Sequence, residues 1–299
     1  SGVMVTRQGG LSLPAVRACA EIIHALGPQD KAGFANLYFA ALANVPSGTP
    51  FFPAAYHDNG SPAFAIATEA ADLAVDAFTQ ANNLTEARSN LIAALESNAQ
   101  KMTAVADSLT GQFADSLNLQ FGGIDYSLAP FPEVELSLGT ALERLGVPAV
   151  GCHGSLAAAA FMTDAVDQVE FARTGFSGLM LPVLEDATLA ARAEQGVLTI
   201  KDMLLYSAVC GTGLDTVPLA GDTTVEQLQA VLLDLAALAL RLDKPLTARL
   251  MPIPGKVAGD PTGFDFAFFA NSRVLALEAM PLTGHLAGDE CVSIASRKR

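Results

Sequence analysis

The sequence predicts an α/β domain, and three observations carry that expectation. Beyond residue 117, short apolar runs alternate with stretches of helical periodicity, the pattern of strands covered by helices. The chain is 51% apolar and only 16% charged, too rich in core-forming residues to stay disordered. Trp is absent and Ala abundant, which favours tightly packed helices over a β-sandwich. The 299 residues suffice for one domain or two. No compositional break between 117 and 280 marks a linker, so one domain is expected: a mainly helical part over 1–116, an alternating core over 117–280 and a tail over 281–299.

Taken in order, "LPAVRACAEIIHAL" places Val16, Cys19, Ala20 and Ile23 on one helical face before Gly27-Pro28 stops the helix. The stretch from Pro46 to Pro62 is dense in Pro and Gly and reads as a lid or a long connector. A helix is expected from Ala63 to Gln80, and a second from Thr85 to Phe113, with Leu91, Leu95, Met102, Val105 and Leu109 near a helical repeat. Neither carries an obvious chemical group. Expected strands are "LNLQFGGI", "PAVGC", "GLMLPV", "LDTVPL" and "TARLMPI", with helices at 135–145, 154–169, 186–194, 199–209 and 223–243. Thr223 and Glu226 have the spacing of a capping box for the last helix.

The formal net charge of −14 argues against nucleic acid and anionic membranes as partners, because both need basic patches. It suits an enzyme or a handler of cations; the basic "RKR" at 297–299 is too short to signify. Four widely spaced cysteines form no CxxC pair, which points to a reducing compartment. The N-terminus lacks a signal-peptide pattern, and "LQAVLLDLAALALRL" is too short to span a bilayer, so the expected location is cytoplasmic. A homodimer is the default expectation for the oligomeric state.

The expected strand ends carry carboxylates: Asp125 in "FGGID", Glu185 and Asp186 in "GLMLPVLED", Asp215 in "GTGLD" and Asp222 in "PLAGD", with Lys256 closing "RLMPIPGK". In α/β folds ligands bind outside the carboxyl ends of strands. Oxygen ligands without His or Cys favour a hard cation, Mg²⁺ or Ca²⁺, and Lys256 suits an anionic substrate group. A competing reading exists for Asp186 and Asp222, which precede helices and suit N-caps. Asp215 and Asp125 sit in apolar surroundings and each needs a partner if buried, in a functional role or a structural hydrogen bond.

Other motifs fall away. "GFSGL" has Leu179 where a nucleophile elbow needs its second Gly. "PGK" and "GTG" lack the remainder of a phosphate loop or a dinucleotide fingerprint. The histidines His24, His57, His153 and His285 are scattered, and His153 and Cys152 in "GCHGS" are sequence neighbours whose side chains diverge.

Together "GGIDYSLAP", "GFSGLMLPVLED", "VCGTGLDTVPLAGDTT" and "RLMPIPGK" resemble the pyruvate formate-lyase-like family of unknown function over residues 117–270. The resemblance implies a glycyl-radical-enzyme-type barrel of two half-barrels with surrounding helices, and no established activity. Such families begin with a further strand and helix, so the expected barrel is one short of its first strand. The tail "PLTGHLAGDECVSIASRKR" has no radical-bearing glycine motif, which rules out a glycyl radical and leaves Cys152 and Cys210 without thiyl chemistry.

The expected function is therefore a non-radical, metal-assisted enzyme acting on a small polar metabolite. Asp125, Glu185, Asp186, Asp215 and Asp222 are the expected ligands, Asp125, Glu185 and Asp215 the acid–base groups, and Lys256 the substrate anchor. Between neighbours, Asp186 is the better cap and Glu185 the better site residue. The alternative is a non-catalytic barrel serving as a binding or assembly module.

Overall fold

A computed structural model describes residues 1–50 and 60–297, apart from the side chains at 114 and 115. Most of the Pro/Gly-rich stretch read as a lid or connector, and the last two residues of the basic tail, lie outside the described residues.

The N-terminal part opens with β1 (Gly2–Thr6), β2 (Gly10–Ser12) and α1 (Leu13–Leu26), and β3 (Ala41–Ala43) follows. Helix α1 spans the predicted residues and is capped by Ser12, with Val16, Cys19, Ala20 and Ile23 buried. The helix expected over 63–80 divides into β4 (Ala63–Glu69) and α2 (Ala71–Thr79). In "AFAIATE" the alternation of large and small residues has a period of two, and Phe64 and Ile66 are β-formers. Helix α3 (Leu84–Leu117) is longer than expected. Leu91 and Leu95 pack in the core, but Val105 is 57% exposed while its neighbour Ala106 is 0% exposed. The apolar face therefore rotates along the helix.

The alternating part contains β5 (Gln120–Ala129), α4 (Leu138–Arg144), α5 (Ser155–Asp167), α6 (Ala187–Glu194), α7 (Ile200–Tyr206), β6 (Gly213–Ala220), α8 (Val225–Leu242), β7 (Leu246–Ile253) and β8 (Cys291–Val292). The six-stranded sheet has the order β6-β7-β3-β1-β2-β8, and β4 and β5 form a second, parallel pair. Strands β6 and β7 run parallel, whereas β3 is antiparallel to β7. The architecture is a mixed α/β fold. Among the described residues the two sheets do not close into the expected barrel.

The gap between the sheets is crossed by residues 172–183, predicted in part as a strand. Here Ile124 N–H donates to Ala172 C=O, Met180 N–H to Ser127 C=O, and Val183 N–H to Asp215 C=O. The segment thus reaches β5 on one side and β6 on the other without a continuous ladder. Ser177 has φ +43°, and Pro182 lacks an N–H to donate, so neither fits a regular strand. The glycines of "GFSGL" and "CGTGL" have a packing role: a Cβ on Gly178 would lie 2.7 Å from Gly211 Cα. The predicted strand "PAVGC" is a turn, with Gly151 at φ +109°.

The last capping box lies one residue further on than predicted. Thr224 caps α8 and pairs with Gln227, while the Thr223 hydroxyl donates to Ala220 C=O. The face Leu228, Leu232, Leu235, Ala236 and Ala239 is buried, and α8 packs against α1. No described helix is long and apolar enough to cross a membrane.

Candidate functional site

The strand pairing brings Asp215 on β6 beside Arg249 on β7. Arg249 Nη2 donates to Asp215 Oδ2 at 2.9 Å, and its Nε donates to Oδ1. The pair is sealed: the side chains are 4% and 0% exposed. Arg249 Nη2 also lies 3.1 Å from Glu185 Oε1, where the chain leaves the irregular segment before α6. Burial works against the guanidinium charge, but the two carboxylates more than offset it and hold Arg249 above its ordinary value. Arg249 was not a candidate from sequence. It stands inside the apolar run "TARLMPI", and the reasoning that demanded a partner for a buried Asp215 applies equally to it.

Glu185 is the exposed end of this chain of charges, with a side chain 22% exposed. Its carboxyl is pushed up to about 7, first by burial and then by the neighbouring Asp215 and Glu69 charges, with Arg249 opposing. It lines a cleft of about 450 Å³ together with Glu69, Asp125, Ser127, Phe176, Met180 and Arg249. Glu69 ends β4, a strand read as helix from sequence, and was missed for that reason.

Asp125, buried on β5, is held from three sides. Phe176 N–H donates to Oδ2 at 3.1 Å, Ser177 N–H donates to Oδ1 at 2.9 Å, and the Ser127 hydroxyl donates to Oδ1. Burial raises its pKa above the ordinary carboxyl value, against these three hydrogen bonds. The positive φ of Gly175 and Ser177 turns the backbone donors toward Asp125.

The remaining predicted residues are elsewhere. Asp186 is the N-cap of α6: it accepts from Thr188 and Leu189 N–H and, across to α4, from Gly139 N–H and the Ser137 hydroxyl. It therefore ties two helix starts together and leaves no oxygen facing the cleft. Asp222 is exposed on the turn after β6 and caps nothing, because Thr224 takes that position. Lys256 lies on the turn after β7, where its C=O accepts from Gly221 N–H, and it does not line the cleft. Asp215 is shielded behind Arg249.

The five carboxylates named for a hard cation are thus not one ligand set. Asp125, Glu185 and Asp215 converge on one region, but Arg249 occupies the space between the last two, and a guanidinium there repels a divalent ion. Among the described residues no group of three or more His, Cys, Asp or Glu side chains is placed to hold a metal. The residues present do not fit the expected Ca²⁺ or Mg²⁺. What they do bring together is the Glu185 carboxyl, held by the Arg249 guanidinium, beside the carboxyls of Asp125 and Glu69.

A family model described as "Uncharacterised ACR (DUF711)" matches residues 1–279. The chain is 37% identical over 256 residues to a UPF0210 protein of Pyrobaculum aerophilum, covering 84% of this chain and 56% of that protein. It is 34% identical over 266 residues to a UPF0210 protein of Methanopyrus kandleri (87% and 58% covered) and 31% over 261 residues to one of Neisseria meningitidis (86% and 58%). The chain spans a little over half the length of these relatives. These matches correct the resemblance to the pyruvate formate-lyase-like family, since they name a different family over nearly the whole chain.

Proposed function

The chain belongs to the DUF711 family of uncharacterised proteins, a membership that names no reaction, and from that premise we propose a non-radical enzyme carrying out general acid–base chemistry on a small polar metabolite. The observation that supports this most directly is Glu185, a carboxyl raised to about 7 on the wall of an open cleft. Near neutral pH such a group is present both as acid and as base, the condition under which a carboxyl both gives and takes protons efficiently.

The roles follow from position. Glu185 exchanges a proton with the substrate. Arg249 donates to Glu185 Oε1 and, anchored by Asp215, keeps that carboxyl in one orientation. Asp125 and Glu69 offer acceptor oxygens to hydroxyl or amino groups of a bound molecule. The cleft volume suits a metabolite rather than a polymer. All four cysteines are free, which supports the reading of a reducing, cytoplasmic location.

A binding module without chemistry is the second reading, and it is favoured by Asp125, whose two oxygens already accept hydrogen bonds. Carboxyl-detected NMR titration, with Glu185→Gln to assign the signal, tests the proposal. A Glu185 midpoint near 7 and a metabolite turnover abolished in Glu185→Gln are expected. A midpoint at the ordinary value of 4.5 removes the acid–base role. Metabolite binding without turnover, equal in wild type and variant, establishes the binding module instead.

A further inference from the structure

A second cavity, of about 360 Å³, lies between α6, α7, α8 and the stretch from Arg273 to Glu278. It shares no lining residue with the Glu185 cleft. Its walls are mainly apolar, with Leu198, Ile200, Leu204 and Leu275 among them. Four charged side chains also line it. Lys201 and Glu278 pair with each other and cancel.

The other two, Arg273 and Asp234, do not pair. Arg273 Nε is buried with no hydrogen-bond acceptor among the described residues, which leaves the desolvation of that N–H uncompensated. The guanidinium stands beside Gly196, where a Cβ would make an ordinary contact at 3.8 Å from Nη1. Asp234, exposed on α8, has no hydrogen bond or ion pair among the described residues. An apolar cavity lined by one cation and one anion that do not pair with each other is complementary to a zwitterion with an apolar body.

We propose that this cavity binds an apolar α-amino acid, its carboxylate on Arg273, its ammonium toward Asp234 and its side chain among Leu198, Ile200, Leu204 and Leu275. A guanidinium and a carboxylate bind most strongly when both are removed from water, and the apolar walls supply that setting. The Lys201–Glu278 pair at the cavity edge adds no net charge to select against a neutral ligand.

Titration calorimetry on the whole chain tests the proposal, with L-leucine and L-phenylalanine as probes. 4-Methylpentanoate, which lacks the amine, and 3-methylbutylamine, which lacks the carboxylate, serve as truncated analogues. Saturable binding of an amino acid is expected, weakened about tenfold or more in each analogue and in Arg273→Gln, as loss of a charged hydrogen bond implies. Glu185→Gln binds as the wild type does, because it belongs to the other cleft. No binding of either amino acid at millimolar concentration overturns the proposal. So does an amine that binds as well as leucine, or an Arg273→Gln protein with unchanged affinity. Should Arg273→Gln not fold, the exposed Asp234→Asn takes its place, and unchanged leucine affinity there overturns the proposal equally.

Discussion

Asp215 and Arg249 meet because β6 carries one residue more than β7 at their level. Leu214 pairs with Ala248 and Val217 with Leu250, so Asp215 and Thr216 both stand opposite Arg249. Thr216 absorbs the extra residue at φ +40°, a conformation that a β-branched side chain rarely adopts. The bulge leaves the Asp215 carboxylate against the guanidinium rather than a neighbouring strand.

The first prediction follows from that burial. Arg249→Met leaves Asp215 as an uncompensated charge in the interior and is expected to cost about 3–5 kcal/mol of folding stability. Adding Asp215→Asn to it recovers a substantial part, because the stranded charge is then gone. Urea unfolding of the two single variants and the double variant reads the coupling directly. Additive losses contradict the pairing.

Glu185 makes stability depend on pH with a definite sign. Its folded value of about 7 lies above its ordinary value of 4.5, so the native state keeps a proton that the unfolded chain releases between those two pH values. The contribution is complete below the unfolded value and is lost as pH rises through about 7, a change on the order of 3 kcal/mol. Glu185→Gln does not titrate. Relative to wild type it gains stability as pH increases from about 5 to 8, and parallel curves for the two proteins contradict the raised value.

How much of this was legible depends on how local the signal is. Helix α1, strands β6 and β7 and the carboxylates at 125, 185 and 215 follow from periodicity and from charges set in apolar runs. Strand β4 was hidden because "AFAIATE" is short and runs almost directly into the Ala-rich α2 helix, so its brief period-two pattern merges with the helical one. That error concealed Glu69. The irregular stretch 172–183 has the composition of a buried strand but is split between two neighbours, a tertiary fact that no window of sequence contains. Asp186 and Asp222 look alike as residues preceding helices. Two facts of the fold separate them: Thr224 takes the cap position of α8 in place of Asp222, and α4 presents Ser137 and Gly139 to Asp186.

That separation can be measured. Asp186→Ala removes an acceptor from three backbone N–H groups and one hydroxyl in the interior, and a loss of about 2–4 kcal/mol is expected, beyond the usual cap effect. Asp222→Ala, on an exposed turn, is expected to stay within about 0.5 kcal/mol of wild type. Thermal and urea unfolding of both variants decide it, and equal effects contradict the assignment of Asp186 as the shared cap.

Gly175 tests whether the Asp125 arrangement is built for the cleft. A Cβ at this position would lie 1.9 Å from Asp125 Oδ2, and the backbone there has φ +58°. Gly175→Ala must therefore displace Asp125 or the Phe176 and Ser177 N–H groups that hold it, at an expected cost of about 1–3 kcal/mol. The Asp215–Arg249 pair lies on other strands and is left in place, so the midpoint of Glu185 is expected to move little. Metabolite binding at the cleft, by contrast, is expected to weaken with Asp125 out of position. Carboxyl NMR and ligand titration on the same variant separate the two effects. Binding that survives with Asp125 displaced removes that residue from the substrate contacts and leaves Glu185 and Glu69 to make them.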